Sequence, residues 1–469
     1  MIELICVETV QAEITKAEKT LRKCFDMLIE FRHGRGDFDA ILNDFQPMLA
    51  ECLYELMQFY HKLQTEKKQL IGDKHNYNQK EFSALMSSNA SYAKVVSQTI
   101  QLGKSLGDAF AWFFFRENRP ELDKHFDHEA TGLYVSGIGG FGELEFIKNN
   151  RFIDGLYVIY HGITTMLRIG DFSLYHAVHG VVGVGELKTV QEGDRFKVSV
   201  HITAKTKIQV DGVDNYSGDN KFEARIQEVQ KDFPSIRNQL KTQSELMQVK
   251  DIEKSDELYG DYEYELINKL SHNNAITINC DKSLLLLAQW SKFADLFSIL
   301  FEPEKELNPP ENFIEEVKSL ADPTDDFNEF IIGKLTNHVN LMNIPILWWN
   351  INEDICRDIY FNRISIVTVF NPAKLLKFYV ADGFTVKADC ELERIEITKE
   401  VDQHRISIGN FGSICYLITN SLMKTDAVYA FSRKVTKAIE LGEFEPNSQI
   451  EMHIHQNNFG TPKTLVDNN

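Results

Sequence analysis

The chain has 469 residues, 43% of them hydrophobic and 25% charged, which is the composition of a globular protein large enough for two or three domains. Its 69 acidic and 50 basic residues give a net charge of -19, which argues against a protein that coats nucleic acid through its whole surface. Seven cysteines without a Cys-x-x-Cys pair argue against a disulfide framework and a zinc ribbon, and short apolar runs argue against a membrane span, so we expect a cytoplasmic protein.

Three long helices are predicted at the start of the chain. Apolar residues recur in steps of three and four from Val7 to Phe31 and again from Leu42 to Leu63, and a looser stripe runs from Gln79 to Arg116. These stripes predict an antiparallel helical bundle or coiled-coil arm over residues 1–120. The same stripes would also suit an arm that binds a partner protein or a second copy of the chain.

A glycine-rich segment follows, from Gly137 to Gly142, in the order Gly-Ile-Gly-Gly-Phe-Gly. It matches the G-x-G-x-x-G loop that binds dinucleotides between a strand and a helix. The next strand-like run, however, ends at Tyr160 and His161 without the acidic residue that would bind the ribose. The competing interpretation is that these glycines begin a helix that carries Glu143.

Two strand-like runs, Arg168 to Tyr175 and Val181 to Thr189, are separated by a short turn and predict an antiparallel hairpin. The hairpin would bring Asp171 close to Glu186 and Lys188. Paired carboxylates are the oxygen ligands that Mg²⁺ prefers, and a lysine beside them can orient a water for attack on phosphorus. The alternative is a solvated Glu186 and Lys188 pair at the end of a strand.

The order of these features resembles the PD-(D/E)xK nuclease superfamily over about residues 132–245. In that family a helix that often carries a glutamate after glycines precedes three strands. Glu143 and the run from Leu156 to Tyr160 occupy the places of that glutamate and of the first strand. Asp171 and the triplet from Glu186 to Lys188 occupy the places of the Asp and of the Glu-x-Lys on the next two strands.

The resemblance implies a restriction-endonuclease-like αβββαβ core within residues 121–250, whose second helix would span residues 222–250. Two features depart from the family's pattern. Gly170 stands where a proline precedes the aspartate, and the later glutamine of some relatives is placed only loosely, on Gln239 or Gln243.

The resemblance also implies an endonuclease that hydrolyses DNA phosphodiester bonds with Mg²⁺, for which Mn²⁺ can substitute. Asp171, Glu186 and Glu143 would bind the metal. Glu145 is the alternative to Glu143, because a helix start is predicted only to within a residue or two. Lys188 would position the attacking water and stabilise charge on the phosphate. Such a chain looks like the effector of a bacterial anti-phage or restriction system.

A basic run follows the Glu-x-Lys strand and contains Arg195, Lys197, Lys205 and Lys207 but no acidic residue. Alternating side chains of such a strand would line a track for DNA phosphates. The alternative is the charged outer face of an edge strand, which protects a sheet from aggregation.

Residues 251–469 alternate helices with short apolar runs and predict a C-terminal α/β region. Strands are predicted at Ala275 to Asn279, at Ile344 to Asn350 and at Ile364 to Phe370. The paired Trp348 and Trp349 are expected in a core rather than stacked on bases.

A second function, from a different class, fits the acidic composition and the helical arm equally well. The chain would be a sensor or interaction protein that keeps the nuclease fold without the chemistry. The two hypotheses differ in whether Asp171, Glu186 and Lys188 converge at one site that solvent and metal can reach.

Overall fold

The computed structural model describes residues 4–35, 38–116, 119–126, 138–176, 179–192, 195–204, 275–279, 283–293, 295–301, 311–321, 330–334, 345–349, 352–387, 395–401, 404–409, 411–422 and short pieces up to 441. The chain divides into two compact units. The first comprises Met1–Gln248, Phe293–Pro303 and His338–Leu341, and the second comprises the remaining residues. The predicted helix at 222–250, with Gln239 and Gln243, lies outside the described residues.

The three predicted N-terminal helices are confirmed: α1 spans Val7–Arg32, α2 spans Phe38–Gly72 and α3 spans Gln79–Phe115. Their stripes are buried inside the chain, as Val10 and Ile14 of α1 illustrate. The stripes therefore form the interior of a bundle within this chain. None of the helices in the described ranges is both long and apolar enough to cross a membrane.

A five-stranded antiparallel sheet follows two further helices, α4 and α5. The elements in chain order are α4 (Arg119–Phe126), α5 (Ile138–Asn149), β1 (Phe152–Ile153), β2 (Leu156–Tyr160), β3 (Phe172–His176), β4 (Gly180–Glu192) and β5 (Arg195–Ala204). Consecutive strands are neighbours throughout the sheet. The predicted hairpin is confirmed, because Phe172 of β3 pairs with Gly185 of β4 in antiparallel register.

The helices and this sheet share polar and aromatic contacts. Gln46 of α2 donates to the Val158 carbonyl at 2.8 Å and accepts from the Tyr160 amide at 2.9 Å, so its amide group acts as a short extension of the β2 ladder. The ring of Phe114 stacks on Tyr157 with centroids 5.3 Å apart. The described residues of the regions predicted as 1–120 and 121–250 therefore lie together in the first unit.

Gly107 and Asp108 hold the C-terminal half of α3 against the segment that leads into β3. A Cβ on Gly107 would lie 1.9 Å from the carbonyl oxygen of Ile163. Asp108 Oδ1 accepts hydrogen bonds from the amides of Thr165, at 2.7 Å, and Met166, at 3.0 Å. Its Oδ2 accepts from the Thr165 hydroxyl at 2.6 Å. These contacts leave that segment little freedom to move relative to α3.

Gly107→Ala is expected to destabilise the protein by about 2–3 kcal/mol, because the added methyl group would overlap a backbone carbonyl. The matched control is Gly139→Ala in α5, where an added Cβ meets no atom within 4 Å. That change is expected to be neutral, or to stabilise by up to about 1 kcal/mol through helix propensity. Urea unfolding of the two variants measures both effects, and equal stabilities would contradict the close approach of α3 to Ile163.

The second unit contains two antiparallel sheets and several helices. In chain order the elements that follow β5 are β6 (Ala275–Asn279), β7 (Leu284–Trp290), α6 (Leu296–Phe301, in the first unit), α7 (Phe313–Ser319), β8 (Ile331–Lys334), α8 (Glu353–Tyr360), β9 (Ile364–Phe370), α9 (Ala373–Ala381), β10 (Thr385–Lys387), β11 (Glu396–Val401), β12 (His404–Ile408) and α10 (Phe411–Ser421). The four-stranded sheet has the order β6-β7-β9-β8, and the three-stranded sheet has the order β10-β11-β12. The mixture of helices and strands predicted here is confirmed.

One predicted strand of this region is wrong. The apolar run that begins at Ile344 forms a 3-10 helix at Ile346–Trp348 instead. Pro345 has no N–H to give to a ladder, and its carbonyl accepts from the Trp348 amide at 2.8 Å, which closes the turn. Trp348 and Trp349 are only 2% and 3% exposed, so their predicted place in a core is confirmed.

Candidate functional site

Asp171 lies at the point where β3 separates from β4. Its amide donates to the Gly185 carbonyl at 2.8 Å, and its carbonyl accepts from the His161 amide at 2.9 Å. Its carboxylate Oδ2 accepts from the Leu187 amide at 2.5 Å. The carboxylate thus takes the position on β4 that the next carbonyl of β3 would have taken. The backbone fixes Asp171 from both sides, and the positive φ of Gly170 keeps the predicted strand from reaching back to Arg168, so that β3 begins at Phe172.

Gly170 explains the absence of proline before Asp171. Its φ is +72°, a conformation that proline, fixed near about -65°, does not adopt. A Cβ on Gly170 would also lie 2.6 Å from Cγ1 of Val184 and 2.8 Å from the carbonyl oxygen of Gly185. The chain therefore enters β3 by a turn that only glycine allows without strain.

Glu186 and Lys188 lie on the exposed face of β4, since alternate residues of a strand share a face. They pair with His201 and Ser199 of β5. Burial raises the pKa of Asp171, the hydrogen bond from Leu187 opposes this, and the negative charge of Glu186 raises it further. Asp171 and Glu186 are therefore close enough for their charges to repel, with Lys188 two residues along the same strand.

Glu143 of α5 approaches the same place from the helical side. Burial raises its pKa to about 7, and the charge of Asp171 contributes in the same direction while Lys104 opposes both. Glu145 is directed differently, because its charge acts on the ammonium of Lys148, which is paired with Glu51. Of the two glutamates weighed from the sequence, Glu143 is the one whose charge acts together with Asp171.

Three of the glycines before Glu143 lie in a helix. Helix α5 begins at Ile138 in the described part of the chain and includes Gly139, Gly140 and Gly142. In a dinucleotide-binding fingerprint the first glycines form a turn ahead of the helix. A Cβ on Gly142 would lie 2.1 Å from Oγ1 of Thr189, so this glycine serves the close approach of α5 to β4. Gly137 and the residues before it lie outside the described residues, so the dinucleotide-binding loop stays a prediction.

The carboxylates fit a hydrated divalent cation by their chemistry but do not form a closed cage. Within the described ranges, no group of three or more His, Cys, Asp or Glu side chains is arranged to hold a metal ion. Asp171 and Glu186 form a repelling pair, and Glu143 adds its charge from α5. Mg²⁺ keeps several waters and commonly takes only one or two protein carboxylates. A cation between the pair would relieve the repulsion between the two carboxylates.

The basic residues predicted to contact DNA are described only in part. Arg195 and Lys197 lie in β5, where they pair with Glu192 and Val190 of β4. Lys205 and Lys207 lie outside the described residues. A phosphate track along this strand stays a prediction.

The sequence did not reveal the buried histidines that support Asp171. His161 donates from Nδ1 to the Gly170 carbonyl at 3.0 Å, because a carbonyl only accepts, and its Nε2 accepts from the Ser173 hydroxyl at 2.8 Å. Burial lowers the pKa of His161 to about 3, so the ring is neutral at physiological pH. His125 Nδ1 accepts from the amide of Arg168 at 2.9 Å and holds the same turn.

Comparisons with protein-family models, curated proteins and solved structures found no match for this chain. Any function assigned to it rests on its own residues and their geometry.

Proposed function

We infer that the chain is a metal-dependent endonuclease that hydrolyses DNA phosphodiester bonds. The observation that carries this proposal is the position of Asp171, whose carboxylate is held by the Leu187 amide where β3 and β4 separate. The negative charge of Glu186 raises the pKa of Asp171, and Lys188 lies on the same face of β4 as Glu186. Helix α5 precedes strands β2, β3 and β4, with only the two-residue strand β1 between α5 and β2. Apart from β1, this is the order expected of the PD-(D/E)xK core, which also supports the proposal.

Each residue has a role that its position suits. Asp171 and Glu186 would hold Mg²⁺ or Mn²⁺, and Glu143 would reach the ion directly or through a water. When bound, the metal supplies Lewis-acid activation of the phosphate and of the attacking water. Lys188, on the same exposed face of β4 as Glu186, would orient that water and offset the charge that develops on the phosphate.

The wider proposal is an effector of a bacterial anti-phage or restriction system that acts in the cytoplasm. Association with a partner protein or a second copy through the N-terminal helices would have to use surfaces other than the apolar stripes of α1 and α2, which are buried within the chain.

A sensor or interaction protein without catalysis is the second candidate. The observation that favours it is the absence, among the described residues, of three ligands arranged to hold a metal. In this alternative Glu186 and Lys188 would be a solvated pair on an exposed strand face.

Cleavage of plasmid DNA separates the two candidates. Wild type is expected to nick the plasmid with Mg²⁺ or Mn²⁺ but not with EDTA, and Lys188→Ala is expected to lose this activity. Lys387→Ala is the control, because Lys387 is another exposed lysine on a strand, in the second unit. Titration with Mn²⁺, followed by electron paramagnetic resonance, gives a readout independent of cleavage. Wild type that neither cuts DNA nor binds Mn²⁺ would favour the sensor, and cutting that survives Lys188→Ala would contradict the assigned site.

A further inference from the structure

His161, the residue that follows strand β2, holds the peptide groups on both sides of Asp171. Its amide donates to the Asp171 carbonyl at 2.9 Å. Its ring Nδ1 donates to the Gly170 carbonyl at 3.0 Å. These two carbonyls belong to the peptide groups before and after the Asp171 Cα, so one residue restrains both ends of the unit that carries the carboxylate. The backbone of almost any residue at this position could make the first bond, whereas the second requires a side-chain donor.

The imidazole ring of His161 is itself held in one orientation. Because Nδ1 gives its proton to a carbonyl, Nε2 keeps its lone pair and accepts from the hydroxyl of Ser173, on β3, at 2.8 Å. The ring of His125 meets it edge to face, with centroids 5.2 Å apart. His161 is only 3% exposed and Ser173 is fully buried, so bulk water does not compete for these bonds. The ring therefore presents its N–H to the Gly170 carbonyl in a single tautomer.

This restraint acts on the direction of the Asp171 carboxylate. Gly170 has a φ of +72°, and the carbonyl of this turn is the group that the His161 ring holds. On the other side, Asp171 is bonded to β4 through its amide, which donates to Gly185 at 2.8 Å, and through Oδ2, which accepts from Leu187 at 2.5 Å. A metal ligand must be held to within about half an ångström of its working position, and these bonds supply that support.

We propose that His161 is a positioning residue for metal binding, whose ring fixes the peptide group before Asp171 and thereby the direction in which the Asp171 carboxylate meets a divalent cation. The proposal rests on the nuclease function proposed above, in which Asp171 is a metal ligand. His161 itself would touch neither the ion nor the DNA, because it is buried and both ring nitrogens are hydrogen-bonded. Groups that orient a ligand from behind typically contribute about ten- to a hundredfold to metal affinity or activity.

Two amide substitutions separate the donor of the ring from its bulk. The side-chain nitrogen of asparagine is attached where Nδ1 of histidine is, and that of glutamine reaches about as far as Nε2. His161→Asn can therefore still donate to the Gly170 carbonyl, whereas His161→Gln places its donor toward Ser173. Titration with Mn²⁺, followed by electron paramagnetic resonance, is expected to show binding weakened by about ten- to a hundredfold in His161→Gln and largely restored in His161→Asn.

Hydrogen exchange of the Leu187 amide measures the position of the Asp171 carboxylate without any metal. The bond to Asp171 Oδ2 protects this amide from exchange. In EDTA, His161→Gln is expected to exchange at Leu187 roughly tenfold faster than wild type, the factor that loss of one hydrogen bond of ordinary strength produces. His161→Asn is expected to exchange at close to the wild-type rate.

A buried side chain of the helical bundle provides the control for a general loss of stability. Asn89 of α3 is 1% exposed and donates to the Leu63 carbonyl at 3.0 Å and to Glu66 at 2.7 Å. Asn89→Ala is expected to lower the urea midpoint of unfolding and to leave both Mn²⁺ affinity and exchange at Leu187 unchanged. A purely structural role of His161 would make its glutamine variant behave in the same way as Asn89→Ala.

The outcomes separate the positioning role from the nuclease function. Wild-type Mn²⁺ affinity in a folded His161→Gln protein would overturn the role of His161 and leave the nuclease untouched. Equal weakening in His161→Gln and His161→Asn would also overturn it, because only one of them keeps the donor. A wild type that binds no Mn²⁺ and cuts no DNA would contradict the nuclease function and, with it, the metal-binding role of His161.

Ser173→Ala is the second variant in case His161→Gln does not fold. It keeps the imidazole ring and removes the hydroxyl that orients it through Nε2. Mn²⁺ binding is expected to weaken by about three- to tenfold, since one orienting hydrogen bond is lost. Unchanged affinity in this variant would contradict the role assigned to the ring.

Discussion

Asp171→Asn is expected to reduce metal-dependent DNA cleavage by at least about a hundredfold, because it removes a negative charge from the metal site. The fold should survive, since the asparagine carbonyl oxygen can still accept the Leu187 amide that Asp171 Oδ2 accepts at 2.5 Å. The backbone bonds to Gly185 and His161 do not depend on the side chain. This variant is therefore expected to lose DNA cleavage while it keeps the fold and stability of wild type.

Nicking assays across a range of Mg²⁺ and Mn²⁺ concentrations measure the first effect, and Mn²⁺ binding measures the loss of a ligand directly. Asp73→Asn serves as the control, because Asp73 lies between α2 and α3 and its side chain makes no capping hydrogen bond. Unfolding curves that match wild type show that the site alone has changed. Full activity in Asp171→Asn would remove Asp171 from the proposed mechanism, whatever the fold of the chain.

The features that could be predicted from the sequence are those encoded by local patterns. The stripes of α1 and α2 recur every three or four residues, and such a pattern specifies a buried helix face almost regardless of what it packs against. The β3 and β4 hairpin joins two neighbouring apolar runs, so its pairing needs little loop closure. The proximity of Asp171 to Glu186 was predicted from that hairpin.

Features that depend on tertiary contacts were not predictable. The run at Ile344 reads as a strand by composition, but Pro345 and the packing of the two tryptophans make it a 3-10 helix. The glycines before Glu143 match a nucleotide-binding loop, and only the structure shows that Gly139, Gly140 and Gly142 lie within α5. Asp108 is one aspartate in a long helix, and nothing near it in sequence marks Thr165 and Met166 as its partners. Contacts of this kind are set by the packing of α3 on the segment before β3.

Glu143→Gln is expected to stabilise the folded protein at high pH and to leave its stability unchanged at low pH. The pKa of Glu143 is raised from 4.5 to about 7, chiefly by burial and then by the charge of Asp171. Between these values the folded state holds a proton that the unfolded state has released. The free energy of unfolding of wild type therefore falls as the pH rises from 4.5 to about 7. Above about pH 7 the folded protein carries the full cost of an ionised, buried Glu143.

The neutral amide of glutamine resembles the protonated carboxyl group, so it avoids that cost. The gain above neutral pH is expected to be up to about 3 kcal/mol, and close to zero near about pH 4. Urea unfolding in EDTA across this pH range measures it, with Glu145→Gln as the control because the charge of Glu145 acts on Lys148 and not on Asp171. Equal behaviour of the two variants would contradict a raised pKa of Glu143 in the folded protein.

With a divalent metal present, wild type is expected to be more stable than Glu143→Gln, the reverse of the order expected in EDTA. A divalent cation binds the ionised form of Glu143 and favours the folded wild type according to its affinity and concentration. Glu143→Gln loses that ligand, so Mg²⁺ or Mn²⁺ is expected to stabilise wild type more than the variant. A side chain that destabilises the protein without metal and stabilises it with metal has a position set by function, since folding alone would favour the glutamine. If metal stabilises both proteins equally, Glu143 is a buried acid that takes no part in the site, and the metal-binding role remains with Asp171 and Glu186.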